Sequence, residues 1–328
     1  MIALRFGRRF LTAGAGLQVL VAAIACAQEP APLPADAALA KLLGPSARIV
    51  RLWPADAPDE IRPIGDEAVV VSERKTSLFA EKVTQPSLVI CPPPNLKSPA
   101  PIVVVCPGGG YGSLGIESEG ADIVKWLNHR GMIGAVLKYR VPKRHQGFPQ
   151  HHHALQDAQR ALGLVRQNAQ AWNVDPRQVG IAGFSAGGHL AASLSNNYAT
   201  RLYEKVDAAD EQNCRPDFTI LIYPAYLTAP IDSDKLDPLQ RAEQMSNRTT
   251  PPTFIAVAQA DKFARGSVAY FMALRAARVR GELHIYDGGG HGNGLREPPL
   301  SEWIEPCGRW LEALTSSPSK PPTEPAAK

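Results

Sequence analysis

A Gly-x-Ser-x-Gly motif at residues 183–187 is the feature that most constrains how this chain can fold. An apolar run at 178–184 leads into it, and an Ala-rich amphipathic run follows it. This order predicts a strand, a sharp turn and a helix, the setting in which such a motif presents its serine as a nucleophile. The glycines are needed because a Cβ atom at either position would clash as the chain closes around the turn. Ser185 is therefore a candidate nucleophile.

Apolar runs of strand length alternate with helical patterns through most of the chain. The pattern at 154–169, for example, places Leu155, Leu162 and Val165 on one helix face. Strands that are apolar on both faces and alternate with helices predict an α/β fold, a mostly parallel central sheet flanked by helices on both faces. The predicted strands lie at residues 48–53, 86–91, 102–106, 132–137, 178–184, 218–223, 253–258 and 282–286.

Residues 1–27 have the pattern of a secretion signal peptide. A basic start at 5–9 precedes an apolar run at 10–24 and a small-residue cleavage site at 25–27. The apolar run is too short and too rich in glycine for a good membrane span. We therefore expect a bacterial protein that is periplasmic or secreted. A weak lipobox that ends at Cys26 leaves a lipid anchor as an alternative.

The rest of the chain divides into three segments by composition. Residues 28–46 begin rich in proline and alanine and predict a flexible linker, 47–314 predict the α/β domain, and 315–328 predict a disordered Pro-rich tail. The formal net charge of +4 falls to +1 without the three arginines of the signal, which leaves no basic patch for nucleic acid. Four cysteines remain, with no metal-ligand spacing, and we expect buried free thiols: Cys91, Cys106, Cys214 and Cys307.

Two candidate partners for the serine lie further along the chain. A serine hydroxyl is a weak nucleophile that needs an adjacent base and a third group to orient that base. In this fold the order is serine, acid and histidine, each after a strand. Asp261 follows the predicted strand at 253–258, and His291 follows the one at 282–286. We predict a Ser185, Asp261 and His291 triad. The alternatives for the acid follow the preceding strand: Asp232, Asp234 and Asp237.

A run of glycines follows the predicted strand at 102–106. Esterases of the α/β-hydrolase fold carry a Gly-rich loop here, and its backbone amides bind the oxyanion of the reaction. By that alignment Gly109, Gly110 and Ala186 are the predicted donors. Tyr111 is a candidate substrate-binding residue in the acyl pocket, with packing on the loop as the alternative. The run lacks the Lys-Ser/Thr of a P-loop and the GxGxxG spacing, which disfavours a nucleotide site.

Five other histidines and one aspartate on a helix face have structural interpretations. His284 alternates with apolar neighbours on a predicted strand, and His189, one helical turn after the serine, is expected to pack or hydrogen-bond. The run at 151–153 predicts a solvated helix start, because neighbouring helix positions cannot all face one metal ion. Asp157 is expected to be a cap or salt-bridge partner.

Several segments together resemble a known family: LWP at 52–54, VVVCPGGGY at 103–111, LQDAQRAL at 155–162, IAGFSAGGHLAASL at 181–194, RPDFTILIYP at 215–224 and ELHIYDGGGHGNGL at 282–295. The chain resembles the bacterial feruloyl- and acetylxylan-esterase-like (BD-FAE-type) branch of the α/β-hydrolases over residues 47–314. The resemblance implies a serine esterase that removes small acyl groups, commonly acetyl, from carbohydrates without a metal or cofactor. Two segments depart from the family pattern, a shorter loop at 261–266 and an unrecognisable stretch at 227–250.

Two other classes of function are compatible with the motifs. A serine peptidase of the prolyl-oligopeptidase type shares the order of the triad, but such enzymes usually carry a propeller or other large domain, and the hydrolase pattern occupies 47–314. A non-catalytic binding protein on the same scaffold would normally have lost a triad member, and each is present here.

Overall fold

The fold is described from a computed structural model of the chain. It describes residues 31–316 except 62, 73–76, 145–146, 293, 297 and 299. The predicted signal peptide and most of the predicted Pro-rich tail lie outside these residues. The strands are β1 (Arg48–Arg51), β2 (Ala68–Val71), β3 (Leu78–Glu81), β4 (Ser87–Cys91), β5 (Ala100–Cys106), β6 (Ser113–Leu114), β7 (Ile133–Lys138), β8 (Val174–Phe184), β9 (Thr219–Ile222), β10 (Thr253–Ala258) and β11 (Gly281–Tyr286). The α-helices are α1 (Pro34–Leu43), α2 (Asp122–His129), α3 (His152–Gln167), α4 (Ala186–Asn197), α5 (Ala264–Ala276) and α6 (Ile304–Thr315).

An eight-stranded sheet in the order β1-β4-β7-β5-β8-β9-β10-β11 forms the centre of the fold. The pairings β1–β4 and β4–β7 are antiparallel, and every pairing from β7 to β11 is parallel. The central strands β5, β7 and β10 are almost wholly buried, as expected for apolar strands covered on both faces. The predicted α/β fold with a mostly parallel sheet is confirmed, and all eight predicted strands are present.

A second, three-stranded antiparallel sheet in the order β2-β3-β6 was not predicted. Its strands have two to four residues, and β2 is only half-buried, so their periodicity is weak in the sequence. Strand β6 directly follows the Gly-rich loop after β5. The small sheet is therefore joined to the loop that was predicted to bind the oxyanion.

Helix α1 lies inside the segment predicted as a flexible linker, so that prediction was wrong for residues 34–43. Ala35 and Leu39 are fully buried in the core. The carboxylate of Asp36 forms an ion pair with Lys138 on β7, at 3.0 Å, and the lysine side chain is fully buried. The sequence of α1 resembles a tether because alanine and proline give little apolar contrast, while the ion pair joins residues far apart in the chain.

Two polar groups on α3 are more buried than their sequence suggested. Asp157 is a salt-bridge partner, as expected, and forms a fully buried pair with Arg140 at 3.0 Å while it accepts a hydrogen bond from the indole of Trp53. His153 is also buried, and its Nε2 hydrogen-bonds the carbonyl of Asp59 at 2.8 Å. The prediction of a solvated helix start was therefore wrong for His153.

Within the described part of the chain, no helix combines the length and apolarity that a membrane crossing requires. The four cysteines named above are buried and free.

Substitution of Leu39 distinguishes a packed α1 from a flexible linker. Because its side chain is fully buried, Leu39→Ala is expected to lower the free energy of unfolding by about 2–5 kcal/mol. Urea denaturation followed by circular dichroism measures the change. The exposed Lys41→Ala on the same helix is the control and should stay within about 0.5 kcal/mol of wild type. Equal stability of the two variants would contradict the packed helix.

Candidate active site

The backbone at Ser185 makes the sharp turn that the motif predicted. Strand β8 ends at the preceding residue and α4 begins at the next one, and Ser185 itself has φ 52°. A Cβ at position 183 would lie 2.1 Å from the carbonyl oxygen of Gly187, and one at position 187 would lie 2.0 Å from that of Cys106. Glycine is therefore required at both positions, and the serine is held in a strained conformation.

The three predicted triad side chains form one hydrogen-bonded chain. The hydroxyl oxygen of Ser185 lies 2.6 Å from Nε2 of His291, and Nδ1 of His291 lies 2.7 Å from Oδ2 of Asp261. The Asp261 side chain is fully buried, and its other oxygen accepts a hydrogen bond from the backbone amide of Phe263. This arrangement fits a nucleophile, a base and a group that orients the base.

Two of the three alternative acids have other partners. Asp234 forms an exposed ion pair with Arg265 at 2.7 Å. Asp237 accepts a hydrogen bond from the backbone amide of Leu239. Asp261 is therefore the carboxylate that the structure places against the imidazole.

Parallel pairing explains why these residues meet. The loops that carry Ser185, Asp261 and His291 follow β8, β10 and β11, and the carboxyl ends of parallel strands lie at one edge of a sheet. Strand β5, which leads into the Gly-rich loop, pairs with β8 on the other side. The four loops that follow β5, β8, β10 and β11 thus meet at one edge of the large sheet.

The Gly-rich loop after β5 presents backbone amides beside the serine. Gly109 and Gly110 have φ values of 135° and 63°, and a Cβ at Gly109 would lie 2.0 Å from the carbonyl oxygen of Ser113. Neither amide donates a hydrogen bond to another described residue, and both glycines line the cleft that contains Ser185. Ala186 is the first residue of α4, so its N–H has no acceptor within the helix. Gly109 and Gly110 thus lie at the cleft with amides that have no acceptor among the described residues, and the oxyanion role of the three amides stays a prediction.

Tyr111 does not line the cleft, which corrects its assignment as a substrate-binding residue. Its side chain is buried, and its hydroxyl lies 2.8 Å from Nδ1 of His189. Burial lowers the pKa of His189 to about 3, so this imidazole is neutral, and its Nδ1 and the tyrosine hydroxyl form one hydrogen bond. The interpretation of His189 as a hydrogen-bonding residue is confirmed, and Tyr111 packs on the loop.

Glu119 is a member of the site that the sequence reasoning missed. It is buried, lines the cleft and accepts a hydrogen bond from the backbone amide of Gly108 at 2.6 Å. Its other oxygen accepts a hydrogen bond from the hydroxyl of Tyr223 at 2.9 Å. Burial raises the pKa of the carboxyl, and these two hydrogen bonds and the nearby His291 oppose that rise. In the sequence Glu119 looks like an ordinary acidic residue before a helix.

The site opens into a cleft of about 680 Å³, a volume suited to a small ligand. The small sheet contributes Val71 and Phe79 to its wall, and two aromatic residues, Tyr226 and Phe263, contribute on another side. Tyr226 has φ 55°, and its ring centroid lies 5.3 Å from that of Phe263. No local signal pointed to these residues, because their role depends on where the loops lie. Among the described residues, no cluster of histidine, cysteine or carboxylate side chains could hold a metal ion.

The BD-FAE family model matches residues 88–225, which include Ser185 and the Gly-rich loop. The crystal structure of an acetyl ester-xyloside bifunctional hydrolase from Caldicellulosiruptor lactoaceticus is 30% identical to this chain, with a TM-score of 0.66. The alignment covers 83% of this chain and 98% of that one. The chain belongs to the BD-FAE family.

One further relative and one further solved structure are similar to this chain. An acetylxylan esterase from Xylanibacter ruminicola is 31% identical over 234 residues, which are 65% of this chain and 45% of the relative. The chain thus spans less than half the length of that protein. Esterase 2 from Thermogutta terrifontis is 24% identical, with a TM-score of 0.60 over 82% of this chain and 99% of that one, and it shows the shared α/β-hydrolase fold.

The backbone of the Gly-rich loop in this BD-FAE site gives a test of its role. Gly109→Ala places a Cβ against the Ser113 carbonyl at a φ that disfavours alanine, so it should displace the amides. Loss of one oxyanion donor slows acyl transfer ~100- to 1000-fold, and we expect a drop of this size in kcat for p-nitrophenyl acetate. Gly112→Ala is the matched control, because its Cβ would meet the nearest atom at 3.6 Å. Similar rates for the two variants would argue against a role for the loop.

Proposed function

We propose that this protein is a serine esterase that hydrolyses small acyl esters, acetyl esters above all, on carbohydrates. The observation that carries the proposal is the continuous chain of hydrogen bonds from Ser185 through His291 to Asp261, at the floor of an open cleft. The names of two relatives, an acetylxylan esterase and an acetyl ester-xyloside bifunctional hydrolase, support acetylated xylan fragments as the substrate class.

In the first half-reaction the hydroxyl oxygen of Ser185 attacks the carbonyl carbon of the ester. Nε2 of His291 takes the hydroxyl proton, and the Asp261 carboxylate stabilises the resulting imidazolium through Nδ1. The carbonyl oxygen becomes negatively charged and binds the backbone amides of Gly109, Gly110 and Ala186. The tetrahedral intermediate then loses the sugar alkoxide, which takes the proton from His291, and an acyl-serine remains.

The second half-reaction repeats these steps with water. His291 removes a proton from the water, and the hydroxide oxygen attacks the acyl carbon. The same amides stabilise the second oxyanion, and the bond between the acyl carbon and the Ser185 oxygen breaks. The serine oxygen takes the proton back from His291, so the acid is released and the site returns to its starting state.

The lining of the cleft supports a sugar as the alcohol part of the ester. The cleft is open to solvent, and its lining combines apolar side chains such as Phe79 and Phe263 with hydroxyls from Ser77, Ser113 and Ser118. Sugars present both C–H faces and hydroxyl groups, and a lining of this mixed kind can contact both. A single acetyl group needs only the space beside the serine, which leaves the rest of the cleft for the carbohydrate.

Substitution of the nucleophile tests the function. Ser185→Ala is expected to lower kcat at least ~1000-fold for p-nitrophenyl acetate and to stop acetate release from acetylated xylo-oligosaccharides. Ser193→Ala, on the same helix with its hydroxyl bonded to a backbone carbonyl, is the control and should retain activity. Circular dichroism checks that both variants fold. Equal rates for Ser185→Ala and wild type would refute the proposal, and wild-type cleavage of an aminoacyl-proline amide in preference to the acetyl esters would favour a peptidase.

We also propose that the protein is exported. The support lies in the sequence of residues 1–27, with its basic start, apolar run and small-residue cleavage site. Expression in a bacterial host followed by N-terminal sequencing of the periplasmic protein is expected to give Gln28 as the first residue. Recovery of the intact chain from the cytoplasm alone would contradict export.

A further inference from the structure

The reaction proposed above uses two loops that must keep a fixed separation. The oxyanion amides come from the loop after β5, and the base comes from the Gly-rich loop after β11, which spans residues 287–295. The two strands lie four positions apart in the sheet, so no shared ladder of hydrogen bonds sets the distance between their loops. One buried carboxylate, that of Glu119, has contacts with both.

The first contact is with the oxyanion loop. Oε2 of Glu119 accepts the backbone amide of Gly108 at 2.6 Å, and Gly108 directly precedes the two proposed oxyanion donors. A Cβ at Gly108 would lie 2.7 Å from this oxygen and 2.8 Å from Cβ of Ser185. The oxyanion loop therefore passes between the carboxylate and the nucleophile without room for a Cβ at Gly108. The hydrogen bond from the Gly108 amide to Glu119 fixes the loop in that position.

The second contact reaches the histidine loop through Tyr223. Oε1 of Glu119 accepts the Tyr223 hydroxyl proton at 2.9 Å, and that hydroxyl oxygen accepts the backbone amide of Gly294 at 2.7 Å. Gly294 has φ 58°, and a Cβ there would lie 2.4 Å from the carbonyl oxygen of Ser118, next to the glutamate. The ring of Tyr223 also packs edge-on against His291, with centroids 5.4 Å apart.

We propose that Glu119 is a positioning residue that ties the oxyanion loop and the histidine loop to one buried carboxylate. The proposal rests on the proposed function, because it concerns the same nucleophile, base and amides. Glu119 acts through Gly108 and through the pair Tyr223 and Gly294, and it does not need to touch the substrate. Its loss should therefore lower kcat while KM changes little.

The charge of Glu119 gives a second effect. Besides Glu119, the titratable or charged groups around the imidazole of His291 are Asp261, Tyr223, and the cleft residues Lys262 and Arg296. Arg296 forms ion pairs with Glu117 and Asp122. A carboxylate near the imidazole stabilises, by electrostatic attraction, the imidazolium that forms in the proposed reaction. Removal of that carboxylate should therefore slow both half-reactions.

Three variants test the proposal with p-nitrophenyl acetate as the probe. Glu119→Gln removes the charge and leaves one of the two hydrogen bonds without an acceptor, and we expect kcat to fall about 10- to 100-fold. Its KM should change less than twofold, because Glu119 does not need to touch the substrate. Tyr223→Phe keeps the ring and the Glu119 carboxylate but breaks the link to Gly294, so kcat should fall while KM changes little. In the double variant the loss should be smaller than the product of the single losses.

Glu67→Gln is the matched control. Its side chain is also buried, and it also accepts a backbone amide, that of Ala35, but it lies against Lys138. Glu67→Gln is expected to lower stability, so thermal unfolding is measured for all variants. Its kcat and KM should match wild type within about twofold. A loss of kcat equal to that of Glu119→Gln would show a general effect of buried carboxylates and overturn the proposal.

Labelling of the serine by a fluorophosphonate probe separates this inference from the proposed function. If wild type hydrolyses no ester, the esterase proposal fails, but the labelling rate of Ser185 still reports its positioning and should be lower in Glu119→Gln. Folded Glu119→Gln with wild-type kcat and labelling rate would overturn the role of Glu119 alone. If Glu119→Gln does not fold, the outcome depends on Tyr223→Phe, and wild-type kcat and labelling in that variant would overturn the role.

Discussion

The tight contact between the turn at Ser185 and the loop after β5 is the constraint on which the site depends. A Cβ at Gly187 would lie 2.0 Å from the carbonyl oxygen of Cys106, and the register pairs Cys106 with Gly183. The two strands thus bring the nucleophile and the oxyanion amides together by backbone packing alone. Because no flexible side chain sets this distance, the oxyanion of the proposed reaction would meet amides that are already in place.

The acid and the base are held differently, at the ends of loops that leave the sheet further away. Asp261 is fixed by full burial and by the amide of Phe263, whereas His291 lies in a loop with few side chains to anchor it. Its imidazole is held by Asp261 and by two aromatic neighbours, Phe263 with ring centroids 4.9 Å away and Tyr223. Tyr223 in turn depends on Glu119. A histidine on a Gly-rich loop therefore gains its position from groups that other strands supply.

The parts of this fold that the sequence predicted are those with local signals. Apolar runs marked the parallel strands, and glycines marked the two turns at which a Cβ has no room. The order of the triad then followed from the rule that parallel strands end at one edge of a sheet. Helix α1 and Glu119 escaped prediction because each is defined by a distant partner, Lys138 for Asp36 on the helix and Tyr223 for the glutamate. The two residues of each pair are about a hundred positions apart in the chain, and no characteristic sequence spacing indicates that they meet.

The residues proposed for the reaction and those proposed to select the substrate also lie on different parts of the fold. The groups proposed to bond to the reacting atoms follow strands of the large sheet, where the turns at Gly109 and Gly187 have no room for a Cβ. The outer wall of the cleft comes from the small sheet and from Tyr226, whose backbone at φ 55° is strained. Val71 on that wall is 58% exposed, so a change there costs little stability. Substitutions in this wall can thus change which alcohol the cleft accepts, while the distances among Ser185, His291 and the oxyanion amides stay the same.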